Sequence, residues 1–166
     1  MMELLNNIWN VLITPNEMNT KLIIIPFTFI ETFVILSFSL TILNISTSKK
    51  NKFLYVFITS LLGIISNNLI PSPFCVFFNY ITFFILMLII FKVSPFKALI
   101  AVVSSISIFA LIGCLILNPY ITLLNITTEQ LDYIPIFKVI YLILMYLLSF
   151  IIILILKIKR RWKNLF

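Results

Sequence analysis

This sequence of 166 residues contains no histidine, only two cysteines and only five acidic residues. The lack of histidine excludes a phosphoacceptor histidine and the cysteine–histidine pairs on which thiol proteases depend. Cys75 and Cys114 are too few for a disulfide framework or a zinc site, so we expect them to be small packing or lipid-facing residues. The acids include no pair placed for acid–base catalysis. We therefore expect no enzyme activity, no metal and no cofactor.

Apolar residues are in large excess over what a soluble domain can bury. They make up 62% of the chain, the mean hydropathy is +1.20, and charged residues make up only 10%. A soluble domain of this size buries roughly two-thirds of its surface, which leaves no place for this much Ile, Leu and Phe. Lipid is the natural solvent for the excess. The basic residues behind the net charge of +7 lie at the ends of the apolar segments, as in membrane helices. We therefore expect no nucleic acid partner.

Five apolar stretches are each long enough to cross a lipid bilayer as a helix. The predicted fold is therefore an all-α integral membrane bundle of five transmembrane helices. The predicted spans are residues 22–43, 53–70, 74–91, 96–117 and 134–156. Residues 1–21 form an N-terminal extracellular or interfacial segment in this interpretation, and residues 157–166 form a cytoplasmic polybasic tail that we expect to bind anionic lipid.

The basic residues alternate with the apolar stretches in a pattern that predicts the orientation. Ten of the twelve lie in residues 44–52, 92–97 and 157–166, and these three segments contain no acid. The opposite segments hold four of the five acids, which are Glu3, Glu17, Glu129 and Asp132. Because basic loops stay in the cytoplasm, we expect the N-terminus outside and the C-terminus in the cytoplasm.

Glu31 is the one ionisable residue deep within a predicted span. An acid there costs roughly 2.5–3.5 kcal/mol on insertion, so we expect it to face protein or water and not lipid. At 100° per residue, the first helix has a polar stripe that we expect to meet a polar face of the second helix, formed by Ser60, Gly63 and Asn67. The stripe consists of Glu31, Thr28, Thr32 and Ser39.

Two interpretations of this seam stay open, a ligand or proton site and a neutral glutamic acid hydrogen-bonded between helices. Polar residues of the outer loops, such as Asn68, Glu129 and Asp132, form a rim that a peptide could contact. The candidate ligand-binding residues are Glu31, Thr28, Thr32, Ser60, Asn67, Asn68, Glu129 and Asp132.

Two further patterns predict local structure. Thr127 and Gln130 have the spacing of a capping box and predict one short helix before Pro135. The fourth span carries small residues on two faces, and small residues let helices approach closely in lipid. We therefore expect this span to be central, with neighbours on both faces. The residues of the two faces are Ala98, Ala101, Ser104 and Ser105, and Ser107, Ala110 and Cys114.

Several segments of the sequence together resemble one family. They are LLNNIWNVLITPNEMNTKLIIIPFTFIETFV, LNISTSKKNKFLYV, SNNLIPSPF, FKVSPFKA and TTEQLDYIPIFK. The chain is similar to the membrane sensor half of bacterial receptor histidine kinases related to the accessory gene regulator peptide receptors, whose kinase core is of the GHKL type. The resemblance implies a multi-pass quorum-sensing protein of the bacterial cell membrane that signals to a cytoplasmic kinase. Without histidine or a nucleotide-binding motif, this chain cannot perform phosphotransfer itself.

Three functions stay open at this point. The first is a receptor-like sensor module, whose two-state bundle an extracellular peptide or small ligand biases. The second is a small membrane subunit of a transporter or export system that works with a separate ATPase, although broken helices and repeats are missing. The third is an accessory or immunity membrane protein. The expected partners are the lipid bilayer, an extracellular peptide, a cytoplasmic kinase or ATPase and, in a homodimer, a second copy of the chain.

Overall fold

The described part of the protein is almost entirely helical. The computed structural model describes the backbone of residues 17–163 and the side chains of residues 25–71 and 74–160. Its helices are α1 (Glu17–Leu43), α2 (Lys49–Leu69), α3 (Ser72–Phe91), α4 (Pro95–Leu124), α5 (Thr128–Tyr133) and α6 (Pro135–Lys163). All but the short α5 contain a stretch long and apolar enough to cross a membrane. The prediction of an all-α chain with five such helices is confirmed. Most of the predicted interfacial segment, residues 1–16, lies outside the described residues.

Left-handed residues and prolines set the boundaries between the helices. Asn44, Lys92 and Asn125 have φ angles of 57°, 52° and 51°. A residue in this conformation follows a helix end because it turns the chain out of the helical path. Pro95 and Pro135 are the first residues of α4 and α6, where the backbone donor that proline lacks would have no helical partner.

Side-chain caps fix the starts of α2 and α5. The Asn51 backbone N–H donates to Ser48 Oγ at 3.2 Å at the start of α2. At α5, the Gln130 N–H donates to Thr127 Oγ1 at 3.2 Å and the Thr127 N–H donates to Gln130 Oε1 at 2.9 Å. This reciprocal pair is a complete capping box. The short helix predicted from Thr127 and Gln130 is confirmed.

The helices α4 and α6 extend beyond the predicted spans. α4 continues to Leu124 with Pro119 inside it, although the predicted span ended at residue 117. A proline removes one helical hydrogen bond, and packing after it supports the last turns. Tyr120 is buried, and its hydroxyl donates to the Phe137 backbone oxygen of α6 at 2.8 Å. α6 passes residue 156 without a break and carries the basic residues as far as Lys163.

α1 is the helix around which the bundle is arranged. It packs against α2, α4 and α6, and it also contacts α5. α3 packs against α2 and α4, and α4 packs against α6. Fully buried side chains of α1 include Val34, Leu36 and Phe38. These contacts place the polar residues of α1 among three other long helices.

The small residues of α4 form one buried face and one exposed face. Ser39 of α1 lies against the buried face, with 2.8 Å between its hydroxyl oxygen and that of Ser105. Ala98 and Ala101 are fully buried beside it, so the two helices approach closely. The prediction that both faces pack against neighbours is wrong for the second face, because α1, α3 and α6 leave it uncovered. Its residues are all exposed, at Ser107, Ala110 and Cys114.

Much of the apolar surface of the five long helices points away from the bundle. Only 22–39% of each candidate span is buried inside the protein. Large side chains are correspondingly open, with Phe53 at 72%, Phe77 at 66% and Leu115 at 70% exposure. A soluble monomer rarely exposes apolar patches of this extent. The surface suits a lipid environment.

The basic segments meet at one end of the bundle, which we call the basic end. Nη2 of Arg160, in α6, donates to the Ile42 backbone oxygen at the end of α1, at 2.8 Å. The Tyr55 and Phe91 rings, near the start of α2 and at the end of α3, lie 5.4 Å apart. The opposite end, which we call the acidic end, carries α5. The charge separation along the sequence is therefore a separation in space.

Two glycines provide a matched test of how closely the helices pack. A methyl group at Gly113 of α4 would lie 3.1 Å from Tyr141 Oη and 3.3 Å from Met145 Sδ of α6. At Gly63 of α2, the nearest atoms would be 3.8 Å and 3.9 Å away. Both Gly→Ala changes gain similar helix propensity. A difference in unfolding free energy between the two variants therefore measures steric crowding by α6 at position 113. We expect Gly113→Ala to be less stable than Gly63→Ala by about 1 kcal/mol.

Unfolding of both variants in one detergent, followed by the helical circular dichroism signal, measures this difference. A Gly113→Ala protein as stable as Gly63→Ala would contradict the close approach of α4 and α6.

Candidate functional site

Glu31 is a residue of α1, in the part of this helix to which Tyr146 of α6 is hydrogen-bonded. It is half-buried and about 18 Å along the helix from Leu43, where α1 ends. Its carboxyl group is within electrostatic range of the Tyr146 hydroxyl of α6. Among the residues that the structure describes, this carboxyl has no hydrogen-bond or ion-pair partner. An acid at this depth without a partner is costly in lipid, so the position is suited to receive a proton, a cation or a hydrogen-bond donor of a ligand.

Tyr146 forms the α6 side of this site. It is 4% exposed, and its ring stacks between Phe27 of α1 and Phe109 of α4, with centroid distances of 6.1 Å and 6.0 Å. Its hydroxyl donates to the Phe27 backbone oxygen at 3.2 Å. Because Phe27 and Glu31 are one helical turn apart on α1, this hydrogen bond places the phenol beside the carboxyl. Tyr146 thus joins three helices at the site.

Two more tyrosines continue this contact toward the acidic end. The Tyr141 hydroxyl of α6 donates to the Gly113 backbone oxygen of α4 at 3.2 Å. The rings of Tyr141 and Tyr120 lie 5.9 Å apart, and Tyr120 itself donates to the Phe137 backbone oxygen. The seam between α4 and α6 is therefore held by phenol groups bound to carbonyls of the facing helix.

The predicted meeting of the polar faces of α1 and α2 occurs through Thr28 and Ser60. The Ser60 hydroxyl donates to the Thr28 backbone oxygen at 3.5 Å, and Gly63 leaves room for the Thr28 methyl group. Thr32 is buried and donates to the same Thr28 oxygen at 2.9 Å. Ser60 thus binds α2 to α1, the Thr32 hydroxyl bonds to its own helix, and Glu31 is near Tyr146 of α6.

Asn67 and Asn68 lie at the end of α2, and their polar groups bond to the protein. Asn67 Oδ1 accepts a hydrogen bond from the buried Cys75 of α3, with 2.8 Å to Sγ. Nδ2 of Asn68 donates to the Ile64 backbone oxygen of its own helix at 2.8 Å. Near Asn67, Ser66 donates to Oδ1 of Asn79 of α3 at 2.9 Å. This cluster ties α2 to α3 and is separate from the contacts between Glu31 and Tyr146.

Glu129 and Asp132 lie on α5, which packs against both α6 and α1. Leu131 anchors this short helix, with only 5% of its side chain exposed. Both acids are exposed, and Asp132 forms an ion pair with Lys138 at the start of α6. The short helix therefore contacts α1, which carries Glu31, and α6. It presents carboxylates at the acidic end.

The sequence-based candidates missed the tyrosines. Tyr141 and Tyr146 lie inside an apolar span, and in such a span a tyrosine hydroxyl needs a partner. The need for a hydrogen-bond partner could have marked Tyr141 and Tyr146 as contact residues. It does not identify the helix that provides the partner. The pairing of Cys75 with Asn67 was also missed, since both residues have purely local interpretations in the sequence.

The described residues contain no group of three or more Cys, Asp and Glu side chains that could hold a metal ion. Cys75 is free and buried, and Cys114 is free and exposed. In comparisons with known proteins, no family model, no curated protein and no solved structure matches the chain.

Tyr146→Phe tests the hydrogen bond at the site, because it removes one hydroxyl and keeps both stacked rings. We expect a loss of about 0.6 kcal/mol in unfolding free energy, a typical value for a hydrogen bond between membrane helices. Tyr80→Phe is the matched control, since Tyr80 is 40% exposed. Detergent unfolding of both variants measures the effect. Equal stability of the two variants would show that the Tyr146 hydroxyl does not join α6 to α1.

Proposed function

We propose that this protein is a membrane sensor module whose acidic end faces outside and whose basic end faces the cytoplasm. The proposal on orientation is supported by the gathering of lysine and arginine at one end, since such residues are retained in the cytoplasm. The exposed apolar surface of the five long helices supports insertion in a bilayer. The similarity to the sensor half of peptide-receptor kinases points to an extracellular peptide as the ligand and to quorum sensing as the process.

The observation that carries this proposal is the half-buried Glu31 carboxyl of α1, which has no hydrogen-bond or ion-pair partner among the described residues. A peptide amine or amide that reaches the carboxyl supplies the missing donor. The exposed Glu129 of α5 favours the approach of positive and hydrogen-bond-donating groups from the acidic end, whereas Asp132 is paired with Lys138. A ligand that pairs with Glu31 in only one arrangement of α1 and α6 shifts the bundle toward that arrangement.

α1 and α6 connect this site to the basic end. They are joined at Tyr146 and Phe27 and again at Arg160 and Ile42, two points about 20 Å apart along the helices. α6 has no break between these points. A shift or rotation of 1–2 Å, typical of helix movements in signalling proteins, would move the basic residues of α6 and change their contact with a cytoplasmic kinase or other partner.

Glu31→Gln tests the site while leaving the size of the side chain unchanged. Spin labels at positions 50 and 159, both exposed at the basic end, report the arrangement of α2 and α6 in a protein whose Cys75 and Cys114 are replaced by serine. We expect a peptide fraction of conditioned culture medium to shift the label distance by about 1–2 Å in the otherwise unchanged protein. Glu31→Gln should insert normally and lose this shift.

Glu129→Gln is the matched control, because it makes the same chemical change at an exposed position. We expect it to keep the response. A Glu31→Gln protein that responds like the unchanged protein would contradict the proposed site. A response lost only in Glu129→Gln would place the ligand on α5 and away from Glu31.

The alternative function is a small membrane subunit of a transporter or export system. It is favoured by the exposed small-residue face of α4, at Ser107, Ala110 and Cys114, because such a face lets a second membrane chain pack closely. Purification from native membranes distinguishes the two functions. A bound ATPase would support transport, and a bound kinase would support sensing.

A further inference from the structure

A cavity of about 670 Å³ opens at the basic end between α1 and α6. The end of α1, the loop after it, the first turn of α2 and the last turns of α6 form its wall. Three of the lining side chains are cationic, at Lys52, Lys157 and Arg160. Hydrogen-bonding side chains complete the polar part, at Thr41, Asn44 and Ser46.

Nothing in the described part of the chain neutralises these three cations. No carboxylate lines the cavity, and the sequence has no acid between Glu31 and Glu129 or after Asp132. Like charges held close together repel one another in a partly buried place. An anion in the cavity would remove that repulsion and would accept hydrogen bonds from all three groups.

Arg160 is held in position at the cavity. Its Nη2 donates to the Ile42 backbone oxygen at 2.8 Å, which holds the guanidinium group against the end of α1. A guanidinium group has five N–H donors, so most of them stay available for an anion. This planar fork is suited to the oxygen atoms of a phosphate group.

A second, smaller cavity of about 240 Å³ adjoins the first and shares Thr41 and Arg160 with it. Its other lining residues are Ile42, Leu156 and Lys159, so its surface is mostly aliphatic. Leu154 and Ile158, which line the first cavity, are also more than half exposed. Apolar surface therefore lies directly beside the cationic groups, as a phosphate linked to acyl chains requires.

We propose that the cavity at the basic end binds the phosphate headgroup of an anionic phospholipid, with Lys52, Lys157 and Arg160 as ligands of the phosphate. Its acyl chains lie along the aliphatic surface of α6. Basic pockets between membrane helices bind such headgroups in other proteins. This inference is independent of peptide sensing, because it uses neither Glu31 nor the acidic end. A soluble phosphate compound offers the same headgroup chemistry without the acyl chains.

The test compares two lysines of one segment. Lys52 lines the cavity, whereas the exposed Lys50 does not. The purified full chain in neutral detergent is titrated with phosphatidylglycerol, with phosphatidylcholine and with inorganic phosphate, and the thermal unfolding midpoint is followed. We expect saturable stabilisation by phosphatidylglycerol alone. Lys52→Gln and Lys157→Gln should weaken the apparent affinity by about tenfold, and Lys50→Gln by less than about twofold.

Arg160→Lys extends the test, since it keeps the charge and removes the planar fork. We expect it to weaken phosphatidylglycerol binding by about threefold or more. Equal weakening by Lys50→Gln and Lys52→Gln would overturn the proposal, because binding would then follow net charge. Equal stabilisation by inorganic phosphate would overturn the lipid assignment, and no saturable stabilisation by any of the three would overturn the site.

Discussion

The backbone carbonyl groups of α1 are the points to which the other helices attach. The Thr28 oxygen accepts from Ser60 of α2, the Phe27 oxygen from Tyr146 of α6, and the Ile42 oxygen from Arg160 of α6. In an apolar solvent, no water is present to accept a hydrogen bond from an unpaired donor. Each of these three pairings therefore constrains how its helix packs. Every buried side-chain nitrogen or oxygen atom in the described residues has a hydrogen-bond partner. The arrangement of the bundle follows from these pairings together with the close contact of α1 and α4.

Glu31 differs from these groups, because its carboxyl is only half-buried and makes no hydrogen bond to the described residues. Its hydroxyl-bearing neighbours on α1 are used in contacts between helices, as Ser39 is with Ser105, or bond to their own helix, as Thr32 does. Glu31 has an aromatic cluster beside it and no protein donor among the described residues. A stable bundle needs no such carboxyl, because a glutamine or an apolar residue would insert at lower cost. Its presence is more readily explained by an occupant that the bundle does not itself provide.

The sequence was sufficient to predict five apolar helices, the capping box at Thr127 and a contact between the polar faces of α1 and α2. Only part of each predicted face takes part in that contact, because Ser39 bonds to α4 and Asn67 to α3. These features depend on length, on local hydrogen bonds or on small polar faces, which can be recognised within one segment. The placement of Glu31 beside Tyr146 could not be predicted in this way. A period of 100° per residue defines a face of a helix but not the neighbour that covers it, and helices that are apolar all round give little sign of which face is buried. The exposed second face of α4 and the cavity beside Lys52 were missed for the same reason, since both depend on contacts between distant segments.

The proposed function depends most directly on which side of a membrane each end of the bundle occupies. Single cysteines at positions 50, 129 and 159, in a protein whose Cys75 and Cys114 are replaced by serine, can be labelled in intact bacterial cells with a thiol reagent that does not cross the membrane. We expect labelling at position 129 in intact cells, and labelling at positions 50 and 159 only after the membrane is permeabilised. Labelling of positions 50 and 159 from opposite sides, or of position 129 from the same side as these two, would contradict the proposed function.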